Sequence, residues 1–257
     1  MTLHNDARGT AFASDYDGTL CISNWETGEE RFDPRVVEAV RRYQEAGGLF
    51  GICTGRPLFS VENGVKGVVD LDFYIVTTGA QVLDRRKNVL FERTFDVELG
   101  KELYKRYMAE GVSYVAITES EYLGVGTPFG LASHVVGTLD EIEGKLLGVS
   151  LEFHGDEAAA RAARDDMNRR FGDVIEGFQN KGSVDVVMRG CSKGSGVDVL
   201  HRELGVECVV GIGDSYNDLA LLGAADVSYT FHSSPQEVRD AADRVVTDLA
   251  EALAEWF

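Results

Sequence analysis

The chain has 257 residues, 44% of them hydrophobic and 26% charged, the make-up of a folded globular protein with room for one large α/β domain or a core plus an insert. Its 25 Lys and Arg against 43 Asp and Glu leave a net charge of −18, a field that repels nucleic acid and acidic membrane surfaces, so neither is expected as a partner. The same field repels small phosphates at long range, and a phosphate site here needs local positive charge from a metal ion, a lysine or a helix N-terminus.

Four cysteines (Cys21, Cys53, Cys191 and Cys208) are scattered without a C-x-x-C, the usage of free thiols in a reducing compartment. None has Arg six residues on, which excludes a cysteine-phosphatase loop: the residues there are Thr27, Phe59, Val197 and Asp214. Residues 1–8 are polar and no apolar run approaches a membrane span, so a cytoplasmic protein without a signal peptide is expected.

In chain order, the first element is the apolar run Thr10–Ser14, a short buried strand by its length and the turn residues that follow. It ends in Asp15 and Asp17, whose side chains start out on one side, with Cα atoms roughly 6–7 Å apart. Crowded carboxylates repel, and a divalent cation is the usual remedy; one carboxylate would ligate it and attack while the other holds a proton. An Asp-rich turn capping a strand reads the same taken alone. An EF-hand loop is excluded because Leu20 stands where its Gly should be.

Residues 25–31 read as a polar loop. Asp33-Pro34 starts a helix that Gly47-Gly48 stops. Leu49–Cys53 is a second strand, handing over at Thr54-Gly55-Arg56-Pro57 to another helix, and Phe73–Val76 is a third, ending at Thr77-Thr78-Gly79. Strand, helix, strand, helix, strand means βαβ units and a parallel sheet. The pattern then changes. A hairpin over 82–91 and helices over 98–110, 139–146 and 156–170 alternate with strands at 114–117, Tyr122–Val125, 149–153, 174–178 and 184–187. This suggests an inserted α+β domain over 84–186, leaving 1–83 and 187–257 as the core. Alternation returns with helices over 195–204 and 214–222, strands over 207–212, 225–229 and 245–246, and helices over 235–242 and at the end.

Three further segments carry polar groups at such junctions. Thr54 and Gly55, at a helix start, would donate a hydroxyl and an N–H to phosphate oxygens, though Thr54 also suits a plain N-cap. Lys193, in Gly190-Cys191-Ser192-Lys193-Gly194-Ser195-Gly196, places one positive charge beside a carboxylate pair, or is a solvated helix-start lysine. The same loop fits G-x-S-x-G, with Ser192 as nucleophile and His201 or His232 as base, but that leaves Asp15 and Asp17 without a role. It is not a Walker A loop. In Gly213-Asp214-Ser215-Tyr216-Asn217-Asp218 the two outer carboxylates, at i and i+4, share a helix face, or Asp214 is an N-cap. Tyr216 excludes a dinucleotide fingerprint. All four segments would meet at the carboxyl edge of one parallel sheet, where open α/β sheets bind ligands.

Taken in order, these segments resemble the haloacid dehalogenase superfamily of aspartate-nucleophile phosphatases: Asp15-x-Asp17-Gly18-Thr19, Thr54-Gly55-Arg56, Lys193-Gly194 and Gly213-Asp214-x-x-Asn217-Asp218. The insert between the second and third resembles the type IIB α+β cap of the Cof-like subgroup, on a Rossmann-like parallel-sheet core. Tyr229 to Ser234 depart from the subgroup, which has a more apolar strand and Asn-Ala there. The resemblance implies that Asp15 attacks phosphorus and that Asp17 protonates the leaving alcohol. It implies Mg2+ held by Asp15, the Asp17 carbonyl and Asp214, with Asp218 orienting its waters. Lys193, Thr54, Gly55 and Asn217 would bind the phosphoryl group. Arg56 either reaches the site or pairs with a surface carboxylate. The expected activity is hydrolysis of a small phosphorylated metabolite, such as a sugar phosphate or a phosphorylated cofactor. A phosphomutase on the same fold is the alternative, and a serine hydrolase or a non-catalytic phosphate-binding module are more remote ones. In the cap, His134, His154 and the polar groups near Thr118 and Glu119 are candidates to reach the substrate, with plain surface placement the alternative for each His.

Overall fold

The computed structural model describes residues 6–24, 29–130 and 132–257; residues 1–5 and 25–28, parts of the polar N-terminus and loop expected above, lie outside the described residues. β1 (Thr10–Ser14) is buried at every position, as a strand covered on both faces must be. β2 (Ile22–Asn24) and β3 (Glu29–Arg31) form a small antiparallel ribbon where only loop was expected. α1 (Pro34–Glu45) opens as its sequence dictates: Asp33 accepts from the Arg35 N–H, and Pro34 sits in the first turn, where its missing N–H costs nothing. β4 (Leu49–Cys53), α2 (Leu58–Val65) and β5 (Phe73–Val76) complete two βαβ units. β6 (Gln81–Asp84) and β7 (Val89–Glu92) then run antiparallel as a hairpin at the edge beside β5.

A second unit follows: α3 (Val97–Tyr107), β8 (Ser113–Thr118), β9 (Tyr122–Val125), β10 (His134–Val136), β11 (Leu146–Glu152), α4 (Glu157–Phe171), β12 (Ile175–Asn180) and β13 (Ser183–Met188). Its strands form one sheet in the order β10-β9-β8-β11-β13-β12. The helix expected over 139–146 is a single 3-10 turn, Leu139–Glu141; Gly144 takes φ +83° and the chain re-enters the sheet at Leu146. The expected boundaries of the insert also shift. The hairpin around Arg85 to Asn88 belongs to the large sheet, because its short turn pairs β7 locally onto β6, and the six-stranded sheet extends to Met188.

After α5 (Lys193–Val199), which continues into a π-helical turn over Leu200–Leu204, alternation returns: β14 (Cys208–Ile212), α6 (Leu219–Ala224), β15 (Val227–Phe231), α7 (Gln236–Ala241), β16 (Arg244–Val246) and α8 (Leu249–Ala254). The large sheet has the order β16-β15-β14-β1-β4-β5-β6-β7, and β16 through β5 are parallel. The chain leaves β1 towards β4 and later returns to β14 on the opposite side. The strand order therefore reverses beside β1, the place where such sheets bind ligands.

Phe12 centres one core, stacked on Phe50 at 6.2 Å and Tyr229 at 6.1 Å and edge-on to Tyr43 at 5.7 Å. A second core joins Leu103 of α3 and Met167 of α4 to Tyr114, Val149, Leu151 and Val184 of the six-stranded sheet. Side chains alternate across a sheet, so the intervening residues Val115, Ser150, Glu152, Ser183 and Asp185 face the other way, into a cleft. Phe12→Ala should cost about 3–5 kcal/mol, read as a lower urea midpoint; a loss below about 1 kcal/mol would mean that the stack does not hold the central strand.

Candidate active site

The C-terminal ends of β1, β4 and β14 deliver Asp15, Thr54 and Asp214 to one point, with Lys193 descending from the first turn of α5 rather than from a strand end. α5 can approach closely because of its glycines: a Cβ on Gly194 would stand 2.4 Å from the Ala220 carbonyl oxygen, and one on Gly196 2.5 Å from Ile75. Ser192 and Ser195 cap the helix reciprocally. The Lys193 ammonium is wholly buried and donates to Asp15 Oδ1 at 2.6 Å and to Asp218 Oδ1 at 2.5 Å. The other Asp218 oxygen accepts from the Asp214 and Ser215 N–H groups, both at 3.0 Å. Asp214 and Asp218 thus meet, but not as one helix face: Asp214 precedes the 3-10 turn Tyr216–Asp218, and Asp218 folds back to cap it. Thr230, in the segment that departs from the subgroup, donates to the Gly213 carbonyl at 2.7 Å and so ties β15 to this loop.

Ligand oxygens of Asp15, Asp214 and Asp218 lie within 4.8 Å of one another. Three carboxylates against one ammonium leave a surplus of two negative charges in a mostly buried pocket. Burial, with Asp218 and Asp214 beside it and Lys193 opposing, holds the Asp15 carboxyl well above the ordinary 3.8; burial and Asp218 push Asp214 up to about 6. Burial alone would lower Lys193, but Asp15 and Asp218 hold it above the ordinary lysine range. A hard divalent cation with oxygen ligands is what such a donor set accepts, so the residues fit Mg2+.

Asp17 turns away from this cluster. Arg56 grips it with two hydrogen bonds, Nε to Oδ2 at 2.8 Å and a terminal nitrogen to Oδ1 at 2.7 Å. The same guanidinium reaches Glu30 of β3 at 2.6 Å and lies 4.4 Å from the centre of the Tyr16 ring. Burial works against the Arg56 charge, but the bonds it donates to Asp17 and Glu30, with their negative charges, hold its pKa above the ordinary range. Of the two options for Arg56 the structure takes both: it grips Asp17 and also pairs with Glu30 of β3.

A cleft of about 450 Å³ opens above these groups, lined from below by Asp15, Asp17, Thr54, Gly55, Asp214 and Asn217. Its roof is the open face of the six-stranded sheet, where Ser150, Glu152 and Asp185 project. None of these three was anticipated. The cap candidates lie elsewhere: His134 pairs with Glu121 at 3.3 Å, His154 Nε2 meets Ser113 at 3.0 Å, and Thr118 binds within its own turn with Glu121. The serine-hydrolase alternative lacks its geometry. Ser192 is a helix cap, and His201 bonds Val206 and Asp226.

A profile of the haloacid dehalogenase-like hydrolases matches residues 12–255. The chain belongs to that family. It is 25% identical over 224 residues to an HMP-PP phosphatase of Klebsiella pneumoniae (strain 342), covering 82% of this chain and 80% of that protein. It is 22% identical over 245 residues to an HMP-PP phosphatase of Escherichia coli O157:H7, covering 91% and 87%. Among solved structures, a HAD subclass IIB sugar phosphatase superposes with a TM-score of 0.78 at 20% identity over 96% of both chains. A haloacid dehalogenase-like hydrolase from B. subtilis superposes with 0.81 at 17% identity over 95% of this chain and 97% of that one. These likenesses show the fold, a Rossmann-like core with a cap.

Two outcomes follow from the charges. Lys193→Met leaves buried carboxylates without their cation and should destabilise the protein by about 3–5 kcal/mol at pH 7, read by urea unfolding; an unchanged midpoint would contradict the pairing. In the roof, burial pushes Asp185 up to about 6 from 3.8, with Ser150 and Lys193 opposing. A carboxyl raised in the folded state binds more protons folded than unfolded, so its presence lowers stability as pH climbs from 4 through 6. Asp185→Asn should therefore raise the thermal midpoint at pH 8 by a few degrees, about 1–3 kcal/mol, and not at pH 4; an equal effect at both would contradict the shift.

Proposed function

We propose that this protein is a Mg2+-dependent phosphomonoester hydrolase acting on a small phosphorylated metabolite through an aspartyl-phosphate. The observation that carries this is the Asp15–Lys193–Asp218 pairing at the switch point of the sheet, with Asp214 completing an acidic cluster. The names of the relatives agree in class, a phosphatase of small substrates.

In this reading Asp15 is the nucleophile. Its Oδ1 is fixed by the Lys193 ammonium at 2.6 Å, which leaves its other oxygen to attack phosphorus. The phosphoryl oxygens are met by Lys193, by the Thr54 hydroxyl and Gly55 N–H at the end of β4, and by Asn217. Asp15, the Asp17 carbonyl and Asp214 would hold Mg2+. The metal would supply positive charge to offset the negative charge of the phosphoryl group. Asp218 keeps Lys193 and the Asp214 loop in register through its two oxygens.

Asp17 donates a proton to the leaving oxygen and then takes one from the attacking water. Its hold on Arg56 has to loosen for that, because a carboxylate gripped by two guanidinium bonds has no proton to give. The cap sheet closes the cleft from above and excludes bulk water from the intermediate. The cytoplasmic setting expected from the sequence belongs to this proposal; among the described residues no helix is long and apolar enough to cross a membrane.

The test is phosphate release from p-nitrophenyl phosphate with Mg2+. Asp15→Asn should reduce turnover by about 10³-fold or more while the thermal midpoint stays near or above that of the parent chain. Undiminished release would end the proposal, and transfer to sugar without free phosphate would favour the mutase alternative.

A further inference from the structure

The roof of the cleft holds two carboxylates that the proposed chemistry does not use. Ser150 and Asp185 face each other across β11 and β13, and Glu152 lies two residues further along the same face. The Ser150 hydroxyl is 2.8 Å from Asp185 and 3.5 Å from Glu152. It has one proton to give, so it satisfies one carboxylate oxygen and leaves the rest of the pair without a donor. Among the described residues no Lys, Arg or His is paired with either group. Of the cations that line the cleft, Arg56 holds Asp17 and Glu30, and Lys181 is exposed and pairs with neither roof carboxylate. Half-buried carboxylates without a counter-ion are costly, and a folded chain retains such a pair most readily where a ligand completes it.

A second observation points the same way. Asn217 is 8% exposed, lines the same cleft, and its Oδ1 has no hydrogen-bond partner. Asp185, Glu152 and the Asn217 Oδ1 thus bring unpaired acceptors to one cleft. Between these polar groups the walls are apolar, formed by Val115, Ile117, Tyr122 and Phe129. Asp185 reaches down to the phosphate-binding turn: a Cβ on Gly55 would stand 2.9 Å from its Oδ2. The group it recognises therefore belongs to the body of the substrate next to the phosphate.

We propose that Asp185 and Glu152 select phosphomonoesters whose alcohol carries a protonated amine on a small apolar body. This inference rests on the phosphatase reading above and adds the substrate class. The leaving group itself brings the cation that the roof lacks, and its N–H donors meet the acceptors already in place.

Three probes of similar size separate the possibilities: 4-(aminomethyl)phenyl, 4-(hydroxymethyl)phenyl and 4-ethylphenyl phosphate, each assayed for released phosphate with Mg2+ at pH 7.5. The amine should be preferred over the ethyl probe by about tenfold or more in kcat/KM, the worth of one charge-assisted contact. Asp185→Asn and Glu152→Gln should each bring that ratio towards one. Turnover of all three probes without preference for the amine, or with preference for the hydroxyl, overturns the inference and leaves the phosphatase reading standing. Release from none of them, with p-nitrophenyl phosphate also inert, overturns both. If a variant fails to fold, the ratio in the parent chain decides alone.

Discussion

A lysine ammonium with no access to water, 2.6 Å from one carboxylate and 2.5 Å from another, persists only because those carboxylates offset its charge. Lys193 is that group, and much of the site is arranged to keep it there. Two glycines let its helix settle against β5 and α6, a reciprocal serine cap fixes the helix start, and Asp218 spends one oxygen on Lys193 and the other on the Asp214 loop. One ammonium does not neutralise Asp15, Asp214 and Asp218 together. That deficit suits a divalent cation, and in the proposed reading the cation lets a phosphate bind to a chain whose overall charge of −18 repels one.

The parallel sheet makes this economical in residues. Reversal of strand order beside β1 sets Asp15 between Thr54 on one side and Asp214 on the other, with no long loop needed to carry them. The mostly antiparallel cap sheet complements it. One face is a conventional apolar core, and the other supplies a roof that carries Ser150, Glu152 and Asp185 over a floor of Asp15, Asp17, Thr54 and Asp214. In the proposed reading, a substrate spanning the two would meet its phosphate site at one end and its selecting groups at the other.

The floor was legible in the sequence because each of its groups announces itself locally. A short apolar run ending in Asp15 and Asp17, a Thr54-Gly55 helix start and a Gly213-Asp214 turn need no tertiary information to be noticed. Where tertiary context decides, the sequence was silent or open. The Arg56–Asp17 grip joins residues 39 positions apart and was one of two options. Glu152 and Asp185 sit in alternating strands, where a carboxylate opposite the core face reads as a solvent residue, and nothing nearby says that a second sheet lies over it. The helix expected over 139–146 stops after one 3-10 turn at Glu141, because Gly144 turns the chain at φ +83° and β11 begins at Leu146 between β8 and β13. Local pairing kept the hairpin of β6 and β7 in the large sheet.

The charge deficit around Lys193 is the central claim, and a calorimetric titration with Mg2+ tests it without any substrate. The account predicts one bound ion per chain in the parent protein and loss of that binding in Asp214→Asn, with the fold intact by circular dichroism. Absence of Mg2+ binding to the parent protein, or equal binding in the variant, would contradict it.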